Sequence, residues 1–174
     1  RGLGDVYKRQ EYMNITVGDV SRSDPMGPNP NGYYIYDSGD VDYELAPVYD
    51  WIEIDPTYGG DGIDLNLTDG GNGNNATNST AVVDLPFTFY FYGEPYNEIS
   101  VSTNGWISPG RTGILSFRNY PIPGAGGPSP MIAAFWDDMK TTSSGDVFYK
   151  IMEIDGNLSM IIEWSDMRTY DNSS

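Results

Sequence analysis

Cysteine and histidine are both absent from this 174-residue chain. Zinc sites built on thiolate or imidazole are therefore excluded, as are Cys nucleophiles and Ser–His or Cys–His catalytic pairs. Without disulfides, packing alone must hold the fold. Cations are scarce: nine Lys and Arg stand against 25 Asp and Glu, a net charge of −16. Such a surface repels phosphate backbones and anionic lipid, so neither nucleic acid nor membrane insertion is expected. Calcium is the cation that it could recruit. No run is long and apolar enough to span a bilayer as a helix, and no segment keeps a helical period.

Aromatic residues are abundant. They make up 14% of the chain, with 14 Tyr, 6 Phe and 4 Trp, which argues against disorder despite 21 Gly and 12 Pro. The richest stretch is Leu85–Ser108. Phe87, Phe89 and Phe91 fall on one side of a period-two pattern and Thr88, Tyr90 and Tyr92 on the other, as in a half-buried strand. Gly93-Glu94-Pro95 breaks the run, Ile99 and Val101 resume it, and Asn104-Gly105 supplies a turn. Further strands are predicted near Tyr33–Tyr36, Val48–Ile54, Ile63–Leu67, Ile114–Phe117, Met131–Trp136, Val147–Ile154 and Leu158–Trp164. Asp155-Gly156-Asn157 is the clearest hairpin signal. Many short strands joined by turn residues predict an all-β fold, an antiparallel β-sandwich of jelly-roll-like form, truncated at both ends. The expected core comprises Phe87, Phe89, Phe91, Ile99, Val101, Trp106, Ile132, Trp136, Phe148, Ile162 and Trp164, with most rings spent between the two layers.

Arg1–Gln10 resembles the in-frame translation of a sequencing adaptor and is set aside from the fold. Without its one acid and three bases, the remainder carries 24 acidic and 6 basic residues, net −18. Residues 11–31, with Asp24-Pro25, Gly27-Pro28 and Asn29-Pro30, read as a linker or edge segment. Residues 32–174 read as one sandwich domain, with closing strands expected beyond its C-terminus. Gly59–Thr80 and Tyr120–Pro130 are the Gly-, Asn- and Pro-rich loops within it.

Several separated motifs carry a family resemblance. Leu85-Pro86-Phe87 through Phe91-Tyr92-Gly93, then Tyr96, then Ile99 through Ser102-Thr103-Asn104-Gly105-Trp106-Ile107-Ser108, resembles the pattern of nidogen-like and plexin-domain-like extracellular modules. Met131-Ile132-Ala133-Ala134-Phe135-Trp136-Asp137-Asp138 and Gly145-Asp146-Val147-Phe148-Tyr149 are similar to later segments of the same modules. Ala134 stands where Pro is common, and Pro109 where Phe is common. Upstream, Gly32-Tyr33-Tyr34 and Tyr49-Asp50-Trp51-Ile52-Glu53-Ile54 resemble modules of large secreted bacterial proteins. Those proteins often carry gingipain-like peptidases and type IX secretion sorting domains. The resemblance implies a secreted or cell-surface accessory module with no catalytic role of its own. Its implied partners are other domains of the same polypeptide and a protein or glycan ligand.

Carboxylates are the candidates for chemistry. Asp137 and Asp138, with Asp146 across the next turn, could place oxygens around Ca²⁺, although no cation-loop spacing is matched. The plainer role is to solvate a strand end and accept turn N–H groups. Asp61, Asp64 and Asp69 lack the ordered ligand series of a calcium loop. Glu53 and Glu163 lie near Trp51 and Trp164, as the acids of a sandwich glycosidase would. Alternation instead predicts Glu163 toward solvent with Trp164 inward, and Glu53 with Trp51 at a rim. The expected function is a non-catalytic spacer, adhesion or recognition module. The alternatives are a carbohydrate-binding or carbohydrate-active sandwich and a calcium-stabilised scaffold. A shallow groove with exposed Tyr or Trp near paired acids would favour the carbohydrate readings.

Overall fold

The computed structural model describes residues 24–71, 79–122, 124 and 126–170. Arg1–Gln10 and most of 11–31 lie outside the described residues. The chain divides into two compact units, Arg1–Asp50 and Trp51–Ser174.

The described part of the first unit is built from turns. Met26 and Ile35 exchange backbone hydrogen bonds of 3.0 and 2.7 Å. The Asn29 carboxamide oxygen closes the loop between them by accepting from the Asn31 and Tyr33 N–H groups. Tyr43 donates its hydroxyl to Asp24 and packs edge-on against Tyr36. The strands predicted at Tyr33–Tyr36 and Val48–Ile54 do not form, apart from the isolated bridge at Ile35. Prolines and Asx turns satisfy this backbone locally, which removes the need for a ladder partner.

The second unit is an all-β sandwich with no α-helix among its described residues. In chain order its strands are β1 (Ile63–Asp64), β2 (Thr80–Phe91), β3 (Glu94–Ser102), β4 (Trp106–Pro109), β5 (Ile132–Ala133), β6 (Met139–Lys140), β7 (Asp146–Ile154), β8 (Asn157–Ser165) and β9 (Arg168–Thr169). One antiparallel sheet has the order β2-β3-β4-β5 and the other β1-β7-β8, while β6 and β9 form a two-stranded ribbon. Apolar residues from both sheets meet between them. Leu67, Val83, Leu85, Ile99, Val101 and Val147 are the buried centre, and Phe87, Phe89, Ile107, Met160, Ile162 and Trp164 pack around it.

Local chemistry accounts for the turns. The β2–β3 hairpin closes through Tyr92 and Gly93, at φ +50° and +83°, the pair of left-handed conformations that suits strand twist. It lies one residue earlier than predicted, so Glu94 and Pro95 belong to β3. Asp155 and Gly156 close the β7–β8 hairpin in the same way, at φ +50° and +77°. In β2, Pro86 sits on the outermost strand of its sheet, inside a register break between Asp84 and Phe89. An edge and a break are the places where a strand tolerates a missing N–H.

Burial departs from the predicted depth, and on β3 the run Ile99–Ser102 is buried without alternation. Ile99, Val101, Trp106 and Phe148 are buried, whereas Phe87, Phe89, Phe91, Trp136, Ile162 and Trp164 are half-buried. Ile132 is exposed, because β5 is a two-residue edge strand with one uncovered face. Trp106 and Phe148 are the only buried rings among the described residues, so most rings are not spent between the layers. Only β5 forms within the strand predicted at Met131–Trp136, and none forms at Ile114–Phe117.

Glu163 is a further correction: it is buried, at 6% exposure, while Trp164 is half-buried. The outer face at this end of β7–β8 is not open to water. The segment before β1 lies against it, and Glu163 Oε2 accepts the Ile54 N–H at 3.0 Å. Ile54 is fully buried, and Gly62 N–H donates back to its carbonyl at 2.7 Å. A backbone donor taken out of water needs an acceptor, and a strand carboxylate supplies it.

Candidate functional site: an aromatic and acidic groove

Two parts of the resemblance motif form one buried joint. The turn Thr103-Asn104-Gly105 is completely enclosed. Asn104 Oδ1 accepts the Met139 N–H at 2.9 Å, and Thr103 Oγ1 donates to Asp69 Oδ2 at 2.6 Å. Gly105 has φ +73°, and a Cβ there would sit 1.7 Å from the Phe135 carbonyl oxygen, so only glycine fits. Its own carbonyl accepts from both Ala134 and Phe135 N–H at 3.1 Å. The Trp106 and Trp136 indoles converge on one acceptor, the Ser116 carbonyl, at 2.8 and 3.2 Å. Trp164 donates to the Ser102 carbonyl at 2.7 Å. Three indole N–H groups are thereby satisfied by backbone, as a buried Trp106 and half-buried Trp136 and Trp164 require.

This joint positions the groove. The two indoles fix Ser116, and with it the segment Phe117–Tyr120. Pairing of β6 with β9 sets Met139 opposite Thr169, and Tyr170 N–H donates to the Asp138 carbonyl at 2.7 Å. The result is an open groove of about 600 Å³ lined by Phe117, Arg118, Asn119, Tyr120, Asp137, Asp138, Thr169 and Tyr170. Tyr120 and Tyr170 are 45% and 49% exposed, so each ring offers a face to a ligand. Arg118 lies 5.3 Å from the Phe117 ring centre and donates to the Tyr120 hydroxyl at 3.2 Å. Lys140 lies 6.0 Å from the Tyr170 ring centre. Asp137 Oδ1 accepts the Asp138 N–H at 2.8 Å. The lining thus combines exposed rings with carboxylate, carboxamide, hydroxyl and guanidinium groups.

A family model described as NIDO related matches residues 63–174. The chain belongs to the NIDO related family. The nidogen-like resemblance read from the motifs is therefore established, and NIDO related membership marks an extracellular accessory module of a non-enzymatic type. The matched span includes both the buried joint and the groove. No curated protein and no solved structure matches the chain. No helix among the described residues is long and apolar enough to cross a membrane.

The remaining predicted site residues are dispersed through this NIDO related module. Asp146 does not join Asp137 and Asp138. It stands at the start of β7, where burial raises its pKa, and the Asp64 carboxylate raises it further. Among the described residues, no group of three or more Asp, Glu, His or Cys is placed to hold a metal ion. Asp69 is a buried structural acceptor, bonded by Thr103 and by Gly71 N–H. Asp61 pairs with Lys150.

Glu53 and Glu163 do meet, without a cleft. Burial pushes the Glu163 carboxyl up, and the facing Glu53 carboxylate raises it further. Glu53 is occupied by the Asp55 N–H at 2.7 Å and by the Trp51 indole at 3.3 Å. Asp55, fully buried, is lowered although burial opposes it, because Ser165 and Thr57 hydrogen bonds favour its charged form. These acids anchor backbone.

Sequence reasoning named Asp137 and Asp138 but missed Phe117, Arg118, Asn119, Tyr120, Thr169 and Tyr170. The available signal was an aromatic–cation–amide–aromatic run, Phe117-Arg118-Asn119-Tyr120, placed just before a Pro- and Gly-rich loop.

Proposed function

We propose that this chain is a non-catalytic recognition module of a larger secreted or cell-surface protein and that its groove binds glycan. One observation carries the reading. Two exposed tyrosine rings, Tyr120 and Tyr170, share an open groove with Arg118, Asn119, Asp137, Asp138 and Thr169. A sugar ring has apolar C–H faces that stack on an aromatic ring and hydroxyls that need both donors and acceptors at its rim. The groove has both. Its acidic side chains suit a neutral or amino sugar better than a uronic acid or a sulfated chain.

The test is a glycan array probed with the purified chain, followed by calorimetric titration of the best ligand. Tyr120→Ala and Tyr170→Ala should each weaken binding, and the double variant should abolish it. If no glycan binds, or if the double variant binds unchanged, the groove is not the site. The same purified chain incubated with that ligand distinguishes binding from turnover: release of reducing ends would replace the non-catalytic reading with a hydrolase. In the calcium-stabilised scaffold reading, Asp137 and Asp138 remain neighbours in the groove while Asp146 lies elsewhere. A melting midpoint that falls on adding EGTA would favour it.

A further inference from the structure

The four sheet edges of the sandwich are unequally protected. β2 carries Pro86 and a register break, and β5 is two residues long, as is β1. β8 has none of these defences. It runs nine residues in unbroken register with β7, and Asn157–Ile162 hold no proline and no charge. A long, regular, uncharged edge is a template for another strand.

The register shows which groups are available. The two-residue hairpin at Asp155-Gly156 makes Ile154 and Asn157 a hydrogen-bonded pair, and such pairs then alternate along the ladder. Asn157, Ser159, Ile161 and Glu163 thus point their backbone groups at β7. Leu158, Met160, Ile162 and Trp164 point theirs away from it. The other side of β7 agrees, since the Val147 carbonyl turns outward and accepts from Leu65 N–H at 3.0 Å. Among the described residues, no backbone hydrogen bond reaches Leu158, Met160, Ile162 or Trp164 from outside the ladder.

An apolar cavity opens beside this edge. It has a volume of about 290 Å³ and lies between the sheets, lined by Leu85, Phe87, Phe89 and Ile107 of one and Leu158, Met160 and Ile162 of the other. A strand laid along β8 would send alternate side chains into it.

Charge selects the kind of strand. β8 holds no cation, and acids stand at both of its ends: Glu153 and Asp155, both exposed, at the hairpin, and Asp166 after Ser165. A second copy of this chain fits poorly. Antiparallel pairing of two β8 edges would set Glu153 and Asp155 of one copy against Asp166 of the other, between molecules that each carry net −16.

We propose that the edge of β8, unpaired among the described residues, and the cavity beside it take up an extended peptide strand from another protein, one with apolar residues at alternate positions and Lys or Arg at its ends. Backbone hydrogen bonds to Leu158, Met160 and Ile162 supply the pairing, the cavity reads the apolar positions, and the terminal carboxylates read the ends. This surface is separate from the groove at Tyr120 and Tyr170, so either can fail without the other.

The test uses fluorescence anisotropy with the labelled peptide Lys-Lys-Thr-Val-Thr-Val-Thr-Lys-Lys. Saturable binding is expected. A peptide with Glu in place of every Lys should bind at least about tenfold more weakly, and one N-methylated at alternate residues should not bind. In the protein, Met160→Pro removes one outward N–H while leaving the β7 ladder intact, and Met160→Ala changes only the cavity. Met160→Pro should weaken binding more than Met160→Ala. The two altered peptides act on the unmodified protein, so they decide the question even if Met160→Pro does not fold. Three results would overturn the proposal: no binding of the Lys peptide, equal binding of the Lys and Glu peptides, or sedimentation showing that β8 is instead consumed by a dimer of this chain.

Discussion

The turn at Asn104 and the groove at Tyr120 are linked through the Ser116 carbonyl, which the Trp106 and Trp136 indoles share, but their polar and aromatic groups meet opposite fates. Both are rich in polar and aromatic groups. In the turn, the Asn104 carboxamide oxygen, the Thr103 hydroxyl and the Trp106 indole all end on other parts of the same fold. In the groove, Tyr120 and Tyr170 keep nearly half of their surface open to water. A residue type therefore says little about role. What separates structure from recognition is whether a side chain's bonding capacity and ring faces are spent inside.

That contrast can be broken at several points. The largest effect is expected at Gly105. Gly105→Ala drives a methyl into the Phe135 carbonyl at a left-handed φ, and it should cost about 4 kcal/mol or prevent folding, read from urea unfolding. A variant that folds with an unchanged midpoint would mean that the joint is not tight. Asn104→Ala comes next. It strands the buried Met139 N–H, while also removing an Asn104 Nδ2 that has no hydrogen-bond partner among the described residues, so about 1–2 kcal/mol is expected.

A smaller, pH-dependent effect belongs to Glu163. Its folded pKa is raised, by burial and then by Glu53, above its unfolded value. Its protonated form is therefore favoured by folding. The stability this contributes is fully present below the unfolded carboxyl pKa, about 4.3, and is lost as pH rises through the folded pKa. Glu163→Gln keeps an acceptor for the Ile54 N–H but cannot ionise. The difference in melting midpoint between Glu163→Gln and the parent should grow in favour of the variant as pH rises from 4 to 7. A constant difference across that range would sink this account. The smallest effect on stability is expected from Tyr170→Ala, less than about 0.5 kcal/mol, although it should weaken glycan binding. A large loss of stability there would move Tyr170 from the groove's face into the fold.

Much of the fold was legible in the chain. β2, β3, β7 and β8 follow from period-two patterning, and Asp155-Gly156 forms the expected hairpin. The strand predicted at Ile114–Phe117 was not, because two indoles capture the Ser116 carbonyl and no neighbouring strand pairs there. Glu163 was misassigned for a related reason. Alternation separates two faces of a strand, but a segment 109 residues away decided that Glu163 would be buried as well. The groove was half legible: Asp137 and Asp138 stood out as adjacent acids, whereas Phe117, Tyr120, Thr169 and Tyr170 come from distant stretches of chain.

By itself, then, the sequence determined the class of architecture, the nidogen-related family and the absence of thiol or imidazole chemistry, because periodicity, turn residues and composition are local properties. Only the tertiary structure decided which carboxylates are buried, which rings stay open and which strand edge is unpaired among the described residues. Those depend on what lies across from each residue, and packing partners far apart in the chain leave no local trace.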